Sequence, residues 1–202
     1  MDYNEMGRTG VRVSKLCLGT MTFGTQTSEA EGHAQMDFAL SNGINFFDTA
    51  EMYPVNPISA ETIGRTEEIL GTWNVKNPSK RGKYILATKH SGEGMQYVRK
   101  GAPISSKTIG LTIEGNLRRL QTDYIDLYQF HWPNRGSYMF RKNWDYEPTN
   151  LNGEAVRADL LDCLEALQVQ VDKGNIRYFG LSNESAWGMS QWLRLSEDHG
   201  LP

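Results

Sequence analysis

The sequence has few cysteines and no long apolar run. Its 202 residues include two cysteines, Cys17 and Cys163, too few for a disulfide framework and without the spacing of a metal-binding motif. No apolar stretch approaches the roughly 20 residues that a membrane-spanning helix needs. The N-terminus carries Asp2 and Glu5 and no apolar run behind them, which is unlike a secretory signal. These absences argue against a secreted or membrane protein and predict a cytoplasmic location.

Neither sign of charge dominates the chain. The 21 basic and 24 acidic residues give a formal net charge of −3 and are spread along the whole length. Without a basic stripe, neither nucleic acid nor a membrane is an expected partner. The hydrophobic content of 39% is enough for a sizeable core. Both cysteines are interpreted as small core residues, because Cys17 lies in the apolar run 16–18 and Cys163 on a helix face.

Helical and strand patterns alternate along the chain, which predicts parallel strand pairing. The first helix is the clearest, because Ser28 and Glu31 have the spacing of a capping box and Gly43 follows the last apolar position. The predicted strands are 16–19, 45–47, 84–88, 125–130 and 177–181, and the predicted helices are 28–42, 65–75, 107–120, 156–173 and 186–198.

The fold class predicted from this alternation is α/β, with five βα units of a (β/α)₈ barrel. We expect a single partial barrel domain over residues 1–202, with an N-terminal β-hairpin in 1–14 that plugs the bottom of the barrel and βα units in 15–202. A closed barrel needs eight units and about 250 residues, so the last three units are expected to be missing. The strands beginning near Leu16 and Arg177 then have unpaired edges, which are templates for self-association.

Four polar residues fall at or just past the ends of predicted strands: Asp48, Tyr53, Lys89 and His131. A parallel barrel displays its chemistry at this end of its strands. Carbonyl reduction needs a proton donor, and Tyr53 is the candidate acid, although a free tyrosine has a pKa of about 10. We expect the ammonium of Lys89 to lower the pKa of Tyr53. Asp48 then holds Lys89, and His131 orients the substrate oxygen.

Each of these residues alone also has an ordinary structural interpretation, as a helix cap, a solvated lysine or a buried histidine. Their joint placement favours function. The remaining histidines fit no site: His33 and His199 lie on predicted helices, and His90 points to the opposite side of the strand from Lys89.

A long loop follows His131 and is rich in aromatic residues, namely Trp132, Tyr138, Phe140, Trp144 and Tyr146. Two interpretations are open: the aromatics wall a substrate pocket, or they pack on one another as a self-contained loop. Trp132 is the best candidate for substrate contact. The loop cations Arg135, Arg141 and Lys142 either favour an acidic substrate or form a solvated surface.

Four segments resemble the aldo-keto reductases, nearest to their bacterial Tas-like branch: LGTMTFG (18–24), NFFDTAEMYPV (45–55), RRLQTDYIDLYQFHWP (118–133) and GNIRYFGLSNE (174–184). The resemblance implies an NADPH-dependent barrel enzyme that reduces an aldehyde or ketone, a small-molecule carbonyl substrate. It places Asp48, Tyr53, Lys89 and His131 on the family's catalytic tetrad. The cofactor-binding residues that it implies are Gly19, Thr20, Met21, Asp48, Ser182 and Asn183, and the family's second-helix signature appears as Gly64, Glu67 and Gly71.

The chain departs from the family beyond its fifth unit. The missing units carry the aromatic residue that stacks on the nicotinamide and the loops that hold the cofactor phosphates, so most cofactor affinity is expected to be lost. Within the third helix, Gly110 and Gly115 each cost about 1 kcal/mol relative to alanine.

Alternative functions remain open. A truncated, non-catalytic remnant or a regulatory, partner-binding protein that has lost cofactor affinity is the main one. A Schiff-base aldolase using Lys89 is disfavoured, because Asp48 would keep that lysine charged. A metal hydrolase is disfavoured further, since no ligand spacing is present and no metal is predicted.

Overall fold

The computed structural model describes residues 1–140 and 142–202. In these residues a two-stranded hairpin precedes a five-stranded parallel sheet whose strands alternate with helices. The strands are β1 (Tyr3–Glu5), β2 (Arg12–Ser14), β3 (Leu18–Gly19), β4 (Phe46–Asp48), β5 (Ile85–His90), β6 (Ile125–Phe130) and β7 (Ile176–Leu181). The α-helices are α1 (Glu29–Ser41), α2 (Arg65–Lys76), α3 (Ser106–Leu120), α4 (Gly153–Asp172) and α5 (Ala186–His199), and short 3₁₀ turns cover Pro78–Lys83 and Arg99–Gly101.

The parallel strands follow one another in the sheet in chain order, from β3 to β7. Each strand is followed by a helix, which is the arrangement of consecutive βα units in a (β/α)₈ barrel. Within the described chain β3 and β7 each pair with one strand, so they are the sheet edges that the sequence predicts. The predicted fold class is confirmed.

Local capping explains where the helices begin. The Oγ of Ser28 accepts from the Glu31 backbone N–H while the Glu31 carboxylate accepts from that of Ser28, which is the predicted capping box. Helix α4 begins three residues earlier than predicted, at Gly153, because the side chain of Asn152 accepts from the N–H groups of Glu154 and Ala155.

The hydrophobic core lies between the sheet and the helices. Phe47, Trp73 and Tyr84 are buried together, with the Phe47 and Tyr84 rings 4.7 Å apart. A second aromatic group joins β6, β7 and α5. The centroid of the Phe130 ring lies 4.8 Å from that of Phe179 and 5.6 Å from that of Trp192. No helix of the described residues is long and apolar enough to cross a membrane.

The N-terminal hairpin contacts the N-terminal end of β4, where the sequence predicts a plug. Asn45, which precedes β4, accepts from the Ser14 N–H at 2.7 Å and donates to the Arg12 carbonyl at 3.0 Å. The Tyr3 hydroxyl donates to the Gly43 carbonyl at 2.8 Å. The hairpin therefore lies at the end of the sheet opposite the C-terminal ends of its strands.

The interpretation of the two cysteines is half right. Cys163 is buried in the core, but Cys17 is exposed, so placing it in the core was wrong. Cys17 directly precedes β3, and β3 has a partner strand on one side only among the described residues, which leaves its flank without cover.

Candidate active site

The four polar residues meet at the C-terminal ends of adjacent strands. Asp48 is the last residue of β4, Tyr53 lies in the loop that follows, and His131 directly follows β6. Lys89 lies inside β5 and not past its end, because β5 continues to His90. The parallel register brings these strand ends to one edge of the sheet.

Lys89 and Asp48 form a close ion pair. The Nζ of Lys89 donates to Oδ2 of Asp48 at 2.5 Å and to the backbone carbonyl of Thr49 at 2.8 Å. The Lys89 side chain is buried, whereas that of Asp48 is partly exposed. The pair is therefore held in a fixed position beside the strand ends.

Gln129 completes this arrangement and was missed by the sequence analysis. Its Nε2 donates to the second oxygen of Asp48, Oδ1, at 3.3 Å. Gln129 lies on β6 two residues before His131, and side chains two apart on a strand face the same side. The two-residue spacing from His131 could have identified Gln129 in the sequence, because it places a second polar side chain on the same side of the strand.

Tyr53 lies between the lysine and the histidine. The centroid of its ring is 5.1 Å from Nζ of Lys89 and 5.6 Å from the centroid of the His131 ring. Its backbone carbonyl accepts from the N–H of Gly64, which caps the N-terminus of α2, at 3.0 Å. Gly64 has φ of +84°, a backbone conformation that favours glycine, and this conformation allows the start of α2 to bond to the Tyr53 loop.

The pKa of Tyr53 moves in the direction opposite to the one the sequence predicts. Burial, and secondarily the Asp48 carboxylate, raise the pKa of Tyr53 to about 12. The predicted lowering by Lys89 was wrong, because Asp48 pairs with that ammonium and desolvation disfavours the phenolate. The phenol therefore keeps its proton at neutral pH.

His131 is neutral at the same pH. Burial, and secondarily the Lys89 ammonium, lower the pKa of His131 to about 3. Its Nδ1 is buried without a hydrogen-bond partner in the described part of the chain. A neutral imidazole has one donor and one acceptor nitrogen, so His131 can donate to a carbonyl oxygen without carrying a charge.

An open cleft of about 760 Å³ lies beside Tyr53 and His131. We call it the Tyr53 cleft; Tyr53, His131, Trp132 and Phe140 lie in its wall. The Trp132 and Phe140 ring centroids are 5.5 Å apart, so the loop after β6 does supply part of the pocket wall. The other interpretation, that all the loop aromatics pack on one another, is wrong for Trp144, because this residue is 90% exposed.

The loop cations do not act together. Arg135 forms an ion pair with both carboxylate oxygens of Glu184 and lies over the Trp187 ring, so it is not available to an acidic substrate. Lys142 lies in the Tyr53 cleft. Arg141 lies outside the described residues.

The residues predicted to bind the cofactor lie at or just past the C-terminal ends of β3, β4 and β7. Gly19 ends β3, the Thr20 hydroxyl donates to the Asp48 carbonyl at 2.8 Å, and Met21 lies in the cleft wall. Ser182 and Asn183 follow β7, and Asn183 Nδ2 donates to the His131 carbonyl at 2.8 Å.

The Asn183 amide retains hydrogen-bonding capacity. Its oxygen accepts no hydrogen bond from the residues that the structure describes. A carboxamide, which carries two N–H donors, fits such an acceptor. The geometry is therefore compatible with the nicotinamide end of a dinucleotide.

The second-helix signature is structural. The buried carboxylate of Glu67 accepts from Thr88 on β5 at 2.5 Å and from Asn116 and Arg119 on α3 at 2.7 and 2.8 Å. Burial raises the pKa of Glu67. These bonds tie α2 to the strand that carries Lys89.

Comparison with known proteins agrees with this fold. The sequence model of the Aldo/keto reductase family matches residues 15–201. The chain belongs to the aldo/keto reductase family, a family of oxidoreductases, and the resemblance found in the sequence is confirmed. Members of this family generally use a nicotinamide cofactor, NADH or NADPH.

Individual relatives are longer than this chain. Protein tas of Escherichia coli K12 is 45% identical over 205 residues, which cover 100% of this chain and 58% of tas. The uncharacterized oxidoreductase YrpG of Bacillus subtilis is 39% identical, over 93% of this chain and 51% of YrpG. The crystal structure of a thermostable aldo-keto reductase, Tm1743 with the inhibitor epalrestat, superposes with a TM-score of 0.69 and 26% identity, over 96% of this chain and 58% of that one. The chain therefore spans between half and three fifths of the length of these relatives.

Proposed function

We propose that this chain carries the catalytic groups of an NADPH-dependent reductase that converts an aldehyde or ketone to an alcohol. The observation that carries the proposal is the grouping of a protonated Tyr53, the Lys89–Asp48 ion pair and a neutral His131 at one edge of the sheet, with Tyr53 and His131 in the cleft wall. Residues 1–202 are proposed to act as one partial barrel domain, with the hairpin in 1–14 and the βα units in 15–202.

In this proposal each group has one role. Tyr53 donates its phenolic proton to the carbonyl oxygen, and the neutral His131 donates a hydrogen bond that orients this oxygen. The Lys89 ammonium stabilises the phenolate that remains, and Asp48 holds the ammonium in place. Trp132 contacts the substrate from the cleft wall. The alkoxide formed on reduction is a stronger base than a phenolate, so the proton transfer is downhill even with the raised pKa of Tyr53.

The residues proposed to hold the nicotinamide end lie at or just past the ends of β3, β4 and β7: Gly19, Thr20, Met21, Asp48, Ser182 and Asn183. NADPH, when bound, supplies the hydride to the carbonyl carbon. The open acceptor of Asn183 supports a carboxamide at this point.

The test compares two conservative tyrosine variants. Tyr53→Phe is expected to reduce carbonyl-dependent NADPH oxidation by about 10²- to 10⁴-fold, the usual contribution of a general acid. Affinity for NADPH, measured by fluorescence titration, is expected to change little. Tyr97→Phe, at a tyrosine that is 56% exposed, is the matched control and is expected to behave as the wild type. Wild-type turnover in Tyr53→Phe removes Tyr53 as the proton donor.

A second candidate is a non-catalytic protein that has lost cofactor affinity and binds a partner or a second copy. The observation that favours it is that β3 and β7 each have one partner strand in the described chain. The NADPH titration separates the two: binding at micromolar concentration supports the reductase, and no detectable binding supports the second candidate.

A further inference from the structure

Methionines are concentrated in the Tyr53 cleft. The chain has 8 methionines, and 4 of them, half, lie in the wall of this cleft: Met21, Met52, Met95 and Met139. Methionine is flexible and has a polarisable thioether, so it fits apolar ligands of different shapes. Its sulfur is also open to oxidation, which converts an apolar side chain into a polar one.

The four methionines differ in exposure. Met21 is 43% exposed and Met139 is 36% exposed, whereas Met52 is 5% exposed. Met95 is half-buried. A solute that enters the cleft can therefore reach Met21 and Met139 more readily than Met52.

Met21 and Met139 belong to different loops, and both are anchored to the candidate site. The Met21 carbonyl accepts from the N–H of Val55, two residues after Tyr53, at 2.9 Å. The Met139 N–H donates to the Ser137 hydroxyl at 3.2 Å, and this hydroxyl donates to the Asn183 carbonyl at 3.3 Å. Because both residues also line the cleft, a change of polarity at either side chain alters the cleft wall.

We propose that Met21 and Met139 form an oxidation site through which a hydroperoxide lowers the affinity of the Tyr53 cleft for apolar carbonyl compounds. In each reaction the thioether sulfur attacks one peroxide oxygen: a sulfur–oxygen bond forms and the oxygen–oxygen bond breaks. The sulfur loses two electrons, the second oxygen leaves as hydroxide and takes up the proton of the transferred oxygen, and hydrogen peroxide is thereby reduced to water. The sulfoxides place polar oxygens in an apolar wall, where their desolvation opposes ligand binding.

The chain supplies a matched control. Met189 on α5 is 41% exposed, comparable to Met21 and Met139, and does not lie in the wall of the Tyr53 cleft. Met36 is fully buried in the core and reports on unfolding during the treatment. The inference rests on the proposed function only in taking the cleft as the substrate site.

The experiment measures binding of cinnamaldehyde by quenching of tryptophan fluorescence, before and after treatment with hydrogen peroxide. Peptide mass spectrometry is expected to show oxidation at Met21, Met139 and Met189 and none at Met36. The treated wild type is expected to bind about tenfold more weakly. The double variant Met21→Leu/Met139→Leu is compared with itself and is expected to have the same affinity before and after treatment, whatever its starting value. Met189→Leu is expected to lose affinity on treatment as the wild type does.

Three results overturn the proposal. The first is unchanged affinity of the wild type once Met21 and Met139 are oxidised, and the second is an equal loss in the double variant. The third is no binding of cinnamaldehyde by the untreated chain, since there is then no apolar affinity to control. Binding without reduction of the aldehyde contradicts the proposed reductase and leaves the oxidation site standing, so the two failures are distinguishable.

Discussion

The Lys89 ammonium lies 5.1 Å from the centroid of the Tyr53 ring while it donates to Asp48 at 2.5 Å. It therefore faces the phenol as one half of an ion pair and not as an isolated cation. Because the carboxylate offsets the positive charge, burial and Asp48 decide the pKa of Tyr53, which rises to about 12.

This relationship predicts the effect of Asp48→Asn on the titration of Tyr53. Removing the carboxylate removes a negative charge that opposes the phenolate, so the pKa of Tyr53 is expected to fall from about 12. The pKa is expected to move towards the ordinary tyrosine value of about 10. Ultraviolet difference titration measures the midpoint, with Tyr53→Phe to assign the signal. An unchanged midpoint contradicts the role given to Asp48.

His90 predicts a dependence of stability on pH. It is buried, with Nδ1 2.7 Å from the Ser91 carbonyl and 3.0 Å from the Arg99 guanidinium, and burial lowers the pKa of His90 from 6.5 to about 3. Its contribution to stability is thus present above pH 6.5 and is lost as the pH falls towards 3. The contribution to the slope is about 1.4 kcal/mol per pH unit between these values.

The test is urea unfolding over this pH range. In His90→Gln the unfolding free energy is expected to fall less steeply as the pH is lowered, by about 1.4 kcal/mol per pH unit. The reason is that the variant has no imidazole to protonate in the unfolded state. His199→Gln, at an exposed histidine, is the control. Equal slopes in the wild type and His90→Gln rule out the linkage.

Two glycine-to-alanine changes in neighbouring helices are expected to act in opposite directions. A Cβ at Gly71 in α2 collides with the Arg119 backbone carbonyl in α3, so Gly71→Ala is expected to cost about 1–3 kcal/mol through overpacking. A Cβ at Gly110 meets Gln170 Nε2 at an ordinary 3.4 Å. Gly110→Ala is therefore expected to stabilise by about 1 kcal/mol through helix propensity. Urea unfolding of both variants checks the signs, and a shift of both in the same direction is the contrary result.

Gln129 is predicted to position Asp48 for turnover. Gln129→Leu removes the hydrogen bond to Asp48 Oδ1 and is expected to lower kcat about tenfold, the scale of a hydrogen bond to a charged group. The loss is expected to be smaller than that of Asp48→Asn, which also breaks the ion pair with Lys89. Gln96→Leu, at an exposed glutamine, is the control, and a kcat of Gln129→Leu equal to this control contradicts the role.

Most boundaries of helices and strands could be predicted from the sequence. The capping box at Ser28 and the start of α5 at Ala186 were predicted correctly, because a cap depends on residues a few positions apart. The start of α4 was missed since the Asn152 cap was not weighed against the long loop before it. Cys17 was misplaced because local apolar neighbours do not reveal whether a strand has a partner on both sides.

The chain's own pattern determined the alternation of strands and helices, the parallel sheet and the strand ends at which Asp48, Lys89 and His131 occur. Periodicity and capping act between near neighbours, so they can be read without coordinates. Only the tertiary structure decided that the pKa of Tyr53 rises, that Gln129 reaches Asp48 and that Arg135 is occupied by Glu184. Desolvation and charge pairing depend on distances between groups up to 81 positions apart in the chain, and folding alone sets those distances.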